Sequence, residues 1–332
     1  MVVMRKVFRY NYLLLASLLL NNLLLIAQVK TDRSFISQRL WFELQSNTYY
    51  DNNNFYIKHY QDYSILLLNT KLGIQAINTQ KGLVIEPYIR NCTTYDLLKN
   101  IWNDVDWHNN TVTGFGCRIR YSLNTIKFIN DKICPNDFNI DLIGEKLWIN
   151  YLKTNEFYIG HRPEDDLKLG IQYWFDLGFR EKNERSGLYY KLLKIFWIES
   201  AGSFIYSKSD FYVKSNDNFY LLYLNNKIGH RLRTFETLFL EPYYYNSLVY
   251  DTGNEIWNRV DWHNNVKNGI GFRTNYRPGL NAEKKNFSII LGFFVEYLRI
   301  GYFNSTEYIP SYRPKQDWFA GVNFWLSISG YN

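Results

Sequence analysis

Apolar and polar residues alternate one for one along much of the chain. From 168 to 179, Leu169, Ile171, Tyr173, Phe175, Leu177 and Phe179 fall on one side, and Lys168, Gly170, Gln172, Trp174, Asp176 and Gly178 take the other. Such a period of two marks a strand with one greasy face. Near the C-terminus, Ala320, Val322, Phe324, Leu326 and Ile328 alternate with Gly321, Asn323, Trp325, Ser327 and Ser329 in the same phase. Phe115, Cys117, Ile119 and Tyr121 oppose Gly114, Gly116, Arg118 and Arg120, while Leu66, Leu68, Leu72 and Ile74 oppose Asn69, Lys71, Gly73 and Gln75. Read this way, the chain predicts twelve strands, at 39–50, 64–77, 83–95, 113–122, 138–152 and 167–179, then at 191–202, 218–232, 237–250, 267–278, 286–303 and 317–330.

The second six strands repeat the first. Ile101–Asn110 (IWNDVDWHNN) matches Ile256–Asn265 (IWNRVDWHNN) at nine of ten positions and an offset of 155, and EPYIRN at Glu86 matches EPYYYN at Glu241 at that offset. Shorter matches flank these, such as NTKLG at Asn69 with NNKIG at Asn225. Repeats of this kind indicate that one supersecondary unit is used twice. The expected organisation is therefore two half-barrel units, 41–179 and 197–332, joined by a connector at 180–196.

A soluble sandwich buries the apolar face inside, whereas an outer-membrane barrel turns it to lipid and lines a polar lumen. Here the polar faces crowd Gly beside Arg, Lys, Asn and Trp, and the strands reach the roughly 9–11 residues of a tilted bilayer crossing. The fold class expected is thus an all-β antiparallel transmembrane barrel of about twelve strands, an even number that keeps both barrel ends in the periplasm. With the first strand rising outward, 51–63, 96–112 and 153–166 and their copies become outer connections, and 78–82 a tight inner turn. The connection at 123–137 is long for an inner turn.

Arg5, Lys6 and Arg9 precede an apolar run from Leu13 to Ala27, which reads as a secretory signal peptide over 1–27, followed by a periplasmic segment at 28–40. Three basic and no acidic residues lie in 1–27, so its removal lowers the net charge from +7 to +4. A nucleic-acid partner, which needs clustered basic charge, loses support. The 19% aromatic content argues against disorder. Cys92, Cys117 and Cys134 lack metal spacing. Parity puts Cys92 in the lumen and Cys117 in lipid, so these two should not pair.

Two constellations carry candidate chemistry. Trp102, Asp106, Trp107, His108 and Asn109 fall in one outer connection, with Trp257, Asp261, Trp262, His263 and Asn264 in its copy. Trp beside Asp and Asn can stack on a sugar ring and bond its hydroxyls, whereas interfacial aromatics and Asx turns account for the same residues structurally. The second constellation is luminal: Lys71, Arg90, Arg118, Arg120, Lys227, Arg231, Arg273, Arg277 and Arg299 are set against Glu86, Asp176 and Glu241, with Trp174 and Trp325 on the same faces. A positive surplus would draw anionic solutes; paired as Glu86–Arg118 and Glu241–Arg273, the same residues form an internal salt-bridge network. Glu145 and Glu296 share the parity of apolar neighbours, which predicts a bulge or interface position. Two ligands per loop fall short of a zinc site, no cofactor is indicated, and no nucleophile with a positioned base stands out. Asp106 with His108 would be the base pair of a rim hydrolase.

The alternating strands, signal peptide and paired E-P-Y and W-N-x-V-D-W-H-N-N blocks resemble the C-terminal outer-membrane barrels of bacterial phage-adsorption and exopolysaccharide-export proteins. That resemblance implies a passage or docking surface for surface polysaccharide. The sequence thus reads as a porin-like or glycan-associated outer-membrane barrel, with outer-membrane lipid, an anionic solute or surface glycan, and the barrel-assembly machinery as partners. A secreted or periplasmic two-block β protein binding a ligand between its halves is the alternative.

Overall fold

The computed structural model describes residues 39–51, 63–97, 109–133, 135–152, 164–178, 196–208, 219–233, 237–252, 264–276, 287–303 and 315–329. In chain order the strands are β1 (Leu40–Asp51), β2 (Tyr63–Ile74), β3 (Ile77–Asn78), β4 (Leu83–Asp96), β5 (Asn110–Ser122), β6 (Asp137–Tyr151), β7 (Asp165–Leu177), β8 (Phe196–Ser207), β9 (Phe219–His230), β10 (Leu232–Arg233), β11 (Leu238–Asp251), β12 (Asn265–Tyr276), β13 (Phe287–Tyr302) and β14 (Gln316–Ser329). β3 and β10 are two-residue extensions pairing with β4 and β11. The other twelve pair antiparallel with their neighbours, and β14 pairs with β1, so the sheet closes into a barrel with no free edge.

Closure satisfies the backbone between strands, which is what a sheet needs to cross hydrocarbon. The alternation predicted from sequence gives the barrel its two faces. Ile89, Phe115, Leu142, Ile228 and Ile270 point outward and are each more than half exposed, whereas Glu86, Tyr88, Arg118 and Glu145 point inward and are almost fully buried. A belt of exposed large apolar residues around a closed sheet would drive association in water and is stable against lipid.

The inner turn after β3 is held by the Gly82 N–H donating to the Thr79 carbonyl, with Gly82 at φ +83°, a left-handed conformation suited to glycine. The long 123–137 connection contains a 3₁₀ turn at Leu123–Thr125 and a π turn at Ile129–Ile133. It docks on the neighbouring turn through Ser122 N–H to the Gly82 carbonyl and Thr125 Oγ1 to the Lys81 carbonyl. The seventh long strand, expected at 191–202, is described over Phe196–Ser207 and so runs on past 202. Ala201, Gly202 and Ser203 read as a strand end because small residues carry little strand signal. In the barrel they continue to pair with β7, Gly202 opposite Tyr173. A Cβ on Gly202 would lie 2.3 Å from Tyr173 Cε1, so the glycine is what lets the aromatic ring pass.

Candidate functional site

The lumen is built from two sets of contacts at matched positions. In the first, the Arg118 guanidinium lies 4.8 Å over the Trp41 ring, and its Nε donates to Glu86 Oε2 at 2.7 Å, with Nη2 reaching Glu43 at 3.5 Å. Trp41 packs on Tyr88, ring centroids 5.9 Å apart, and the Tyr88 hydroxyl donates to Glu145 at 2.7 Å. In the second set, Arg273 lies 4.0 Å over Trp197, donates to Glu241 at 2.6 Å, and grips Glu199 with Nη1 at 2.8 Å and Nη2 at 2.6 Å. Trp197 packs on Tyr243 at 5.8 Å, and the Tyr243 hydroxyl donates to Glu296. The ammonium groups of Lys71 and Lys227 cap the two tyrosine rings at 5.0 and 4.8 Å.

Glycines make this packing fit. Cβ atoms on Gly73 and Gly229 would fall within 2.5 Å of Trp41 and Trp197, and on Gly116 and Gly271 within 2.7 Å of Tyr88 and Tyr243. Strand glycines at such places mark a close approach of ring to backbone.

The two sets differ in how they neutralise charge. Arg90 donates to Glu145 at 2.7 Å in the first half; in the second, Lys227 donates to Glu296 at 2.9 Å and also caps Tyr245, the residue that replaces Arg90. Arg120 forks onto Asp141 at 2.9 and 3.1 Å, whereas its counterpart Asn275 donates to Glu241 at 2.9 Å, which is also held by Arg231. A buried acid bound to two cationic groups is far more stable than one left alone.

Both ion pairs anticipated from the sequence, Glu86–Arg118 and Glu241–Arg273, are made. Among the described residues further acids face inward beside these pairs: Glu43, Asp141, Glu145, Glu199 and Glu296 also take up arginine or lysine. Glu145 and Glu296 are therefore neither bulged nor interfacial: their same-parity neighbours Leu147, Ile149, Leu298 and Ile300 point inward too and are buried. Leu147 and Ile149 form a luminal apolar cluster with Cys92 and Val112. Arg299 corrects a second expectation. It sits between the buried, inward Leu298 and Ile300 and is itself exposed, so it points outward, opposite Asn268 and Gln316.

Trp174 and Trp325 share the parity of luminal residues yet are 42% and 37% exposed, so space lies in front of both rings. Cys92 is buried, Cys117 exposed, and both are free. Asn109 is buried, as is Asn264, which accepts from the Asp251 N–H at 2.7 Å; this bond ties the foot of its outer connection to β11. Trp102, Asp106, Trp107, His108, Trp257, Asp261, Trp262, His263 and Arg277 lie outside the described residues.

Sequence reasoning missed Trp41, Glu43, Trp197 and Glu199, although the signal was present: Trp-Phe-Glu at 41–43 recurs as Trp-Ile-Glu at 197–199. Tyr88 and Tyr243 lie inside the repeated E-P-Y, whose parity with Glu86 and Arg90 turns Tyr88 to the lumen.

No family model matches the chain, and no curated protein matches it. Among solved structures it is similar to the translocator domain of the autotransporter NalP from Neisseria meningitidis, at 9% identity and a TM-score of 0.43, covering 94% of this chain and 95% of that one. It is also similar to the β domain of the Bordetella autotransporter BrkA, at 11% identity and TM-score 0.37, over 86% and 98% of the two chains. An outer membrane channel from Pseudomonas putida F1 matches at 9% and TM-score 0.40, over 87% and 95%. At such scores the likeness stops at description. The closed sheet and apolar exterior of this barrel suit it to cross a lipid bilayer.

Proposed function

We propose that the protein is an outer-membrane channel for small hydrophilic solutes, with a lumen narrowed by two layers of mutually neutralised charge. The observation that carries this reading is the exposure of the inward-facing Trp174 and Trp325, which stand opposite the polar Asn139 and Gln45. Water-filled space next to fixed dipoles and charges suits polar solutes. A strongly anion-drawing lumen has less behind it, since Arg90, Arg118, Arg120 and Arg273 each hold an acid. Reconstituted into a planar bilayer, the protein should give discrete conductance steps and, in a salt gradient, a reversal potential close to zero. Silence in the bilayer would sink the channel reading, and a large anion-selective potential would restore the basic lumen.

A second reading, passage or docking of a surface polysaccharide, is favoured by topology. The two W-N-x-V-D-W-H-N-N connections join β4 to β5 and β11 to β12. The ends of β11 and β12 stand six long strands on from those of β4 and β5 around the sheet, a spacing that suits two Trp-bearing connections gripping one glycan chain from both sides.

A further inference from the structure

The exterior of the second half carries residues that lipid-facing surfaces ordinarily exclude. Ser200, Asn226, Asn246 and Asn268 stand directly opposite one another on β8, β9, β11 and β12. Arg299 and Gln316 continue the row onto β13 and β14. All six point outward: Asn246 falls between the buried, inward Tyr245 and Ser247, and Asn226 precedes the inward Lys227. The row does not mark the edge of the membrane. Leu224 and Ile228 flank Asn226 on the outer side of its strand, Tyr244 and Leu248 flank Asn246, and Val266 and Ile270 flank Asn268, so the three amides lie within the apolar belt.

These side chains partly satisfy one another. Ser200 Oγ donates to Asn226 Oδ1 at 2.7 Å, and Asn246 Nδ2 and the Tyr244 hydroxyl both donate to Asn268 Oδ1, at 2.6 and 3.0 Å. Asn226 Nδ2, Asn268 Nδ2 and Asn246 Oδ1 are left over. The face therefore presents two amide donors and one acceptor to hydrocarbon, which offers them nothing. On the matching face of the first half, two of the three asparagines are Thr70 and Thr113, and the Thr70 hydroxyl returns its hydrogen to the Asn91 carbonyl at 3.3 Å. A hydroxyl can bond back to its own sheet in this way; the leftover amide groups do not.

We propose that the outward face of β9, β11 and β12 docks a second copy of this chain, with the three asparagines at its centre. A row with unused donors and an unused acceptor is complementary to itself once turned about a two-fold axis, as an interface between identical chains requires. Polar side chains that bond between neighbouring spans are a recognised means of association inside a membrane. Beside the row, Gly202, Phe204, Leu222, Leu224 and Ile171 line an outward apolar groove of about 480 Å³, space for a bulky apolar side chain of the partner.

The test uses the full chain in its native outer membrane. With Cys92, Cys117 and Cys134 replaced by Ser, Asn246→Cys should oxidise to a species of twice the chain mass, while Asn91→Cys at the matched position of the first half should yield several-fold less. In detergent, Asn226→Leu with Asn246→Leu and Asn268→Leu should shift the sedimenting particle from two chains to one while the heat-modifiable folded band persists; if that variant does not fold, the cross-link decides. Absence of the doubled species, equal cross-linking at 91 and 246, a cross-link to a protein of another mass, or a folded triple variant that still sediments as two chains would each overturn the proposal.

Discussion

At the residue scale the lumen is governed by carboxylates that cannot be left alone. Glu241 is fully buried and takes hydrogen bonds from Arg231, Arg273 and Asn275. Replacing it with Gln keeps the shape, removes the charge and leaves two guanidinium groups facing an amide. Removing one partner of a buried ion pair costs about 3–5 kcal/mol, so Glu241→Gln should lower the urea midpoint of unfolding, followed by tryptophan fluorescence in lipid, by a corresponding amount. An unchanged midpoint would mean that Glu199, not Glu241, balances Arg273. Part of this chemistry was legible in the sequence because both members of Glu86–Arg118 and Glu241–Arg273 recur at one offset. The remaining acids were hidden by a simple assumption, that apolar residues share a face only with lipid. Leu147 and Ile149 break it, and Glu145 was misjudged with them.

At the element scale, the strands stay regular because glycines absorb the bulk of the luminal rings. A Cβ on Gly229 would lie 2.3 Å from Trp197 Cζ2, and Trp197 is 1% exposed, so nothing nearby can give way. Overpacking of a filled site costs about 1–3 kcal/mol. Gly229→Val should therefore destabilise the barrel by that amount and weaken the near-ultraviolet circular dichroism of the buried tryptophan. Gly301→Val is the control: the nearest atom to its added Cβ is 4.0 Å away, and no loss of stability is expected. Equal loss in both variants would point to strand propensity instead of ring packing. Alternation predicted these strands well where large side chains mark the phase. It failed at β8, where Ala201, Gly202 and Ser203 mark none, and the pairing with β7 supplies what the residues lack.

For the whole molecule, the antiparallel order of the strands places the β11–β12 pair six long strands on from the β4–β5 pair, the two pairs joined by the repeated outer connections. If they grip a glycan together, Trp107→Ala combined with Trp262→Ala should weaken binding of the cell's own surface polysaccharide by more than the two single variants added, while the heat-modifiable folded band remains. Additive or absent effects, measured by co-sedimentation of proteoliposomes with the polysaccharide, would return both tryptophans to an interfacial role. The sequence by itself determined the number of long strands and the alternation of two faces along most of them, because a period of two is a local property. Only the tertiary structure decided which charges meet. Arg118 and Glu43 are 75 residues apart and touch because the sheet carries β1 and β5 on either side of β2 and β4, and Arg299 faces outward because of its register between Asn268 and Gln316. Partner and facing across strands follow from register and closure, which no single strand encodes.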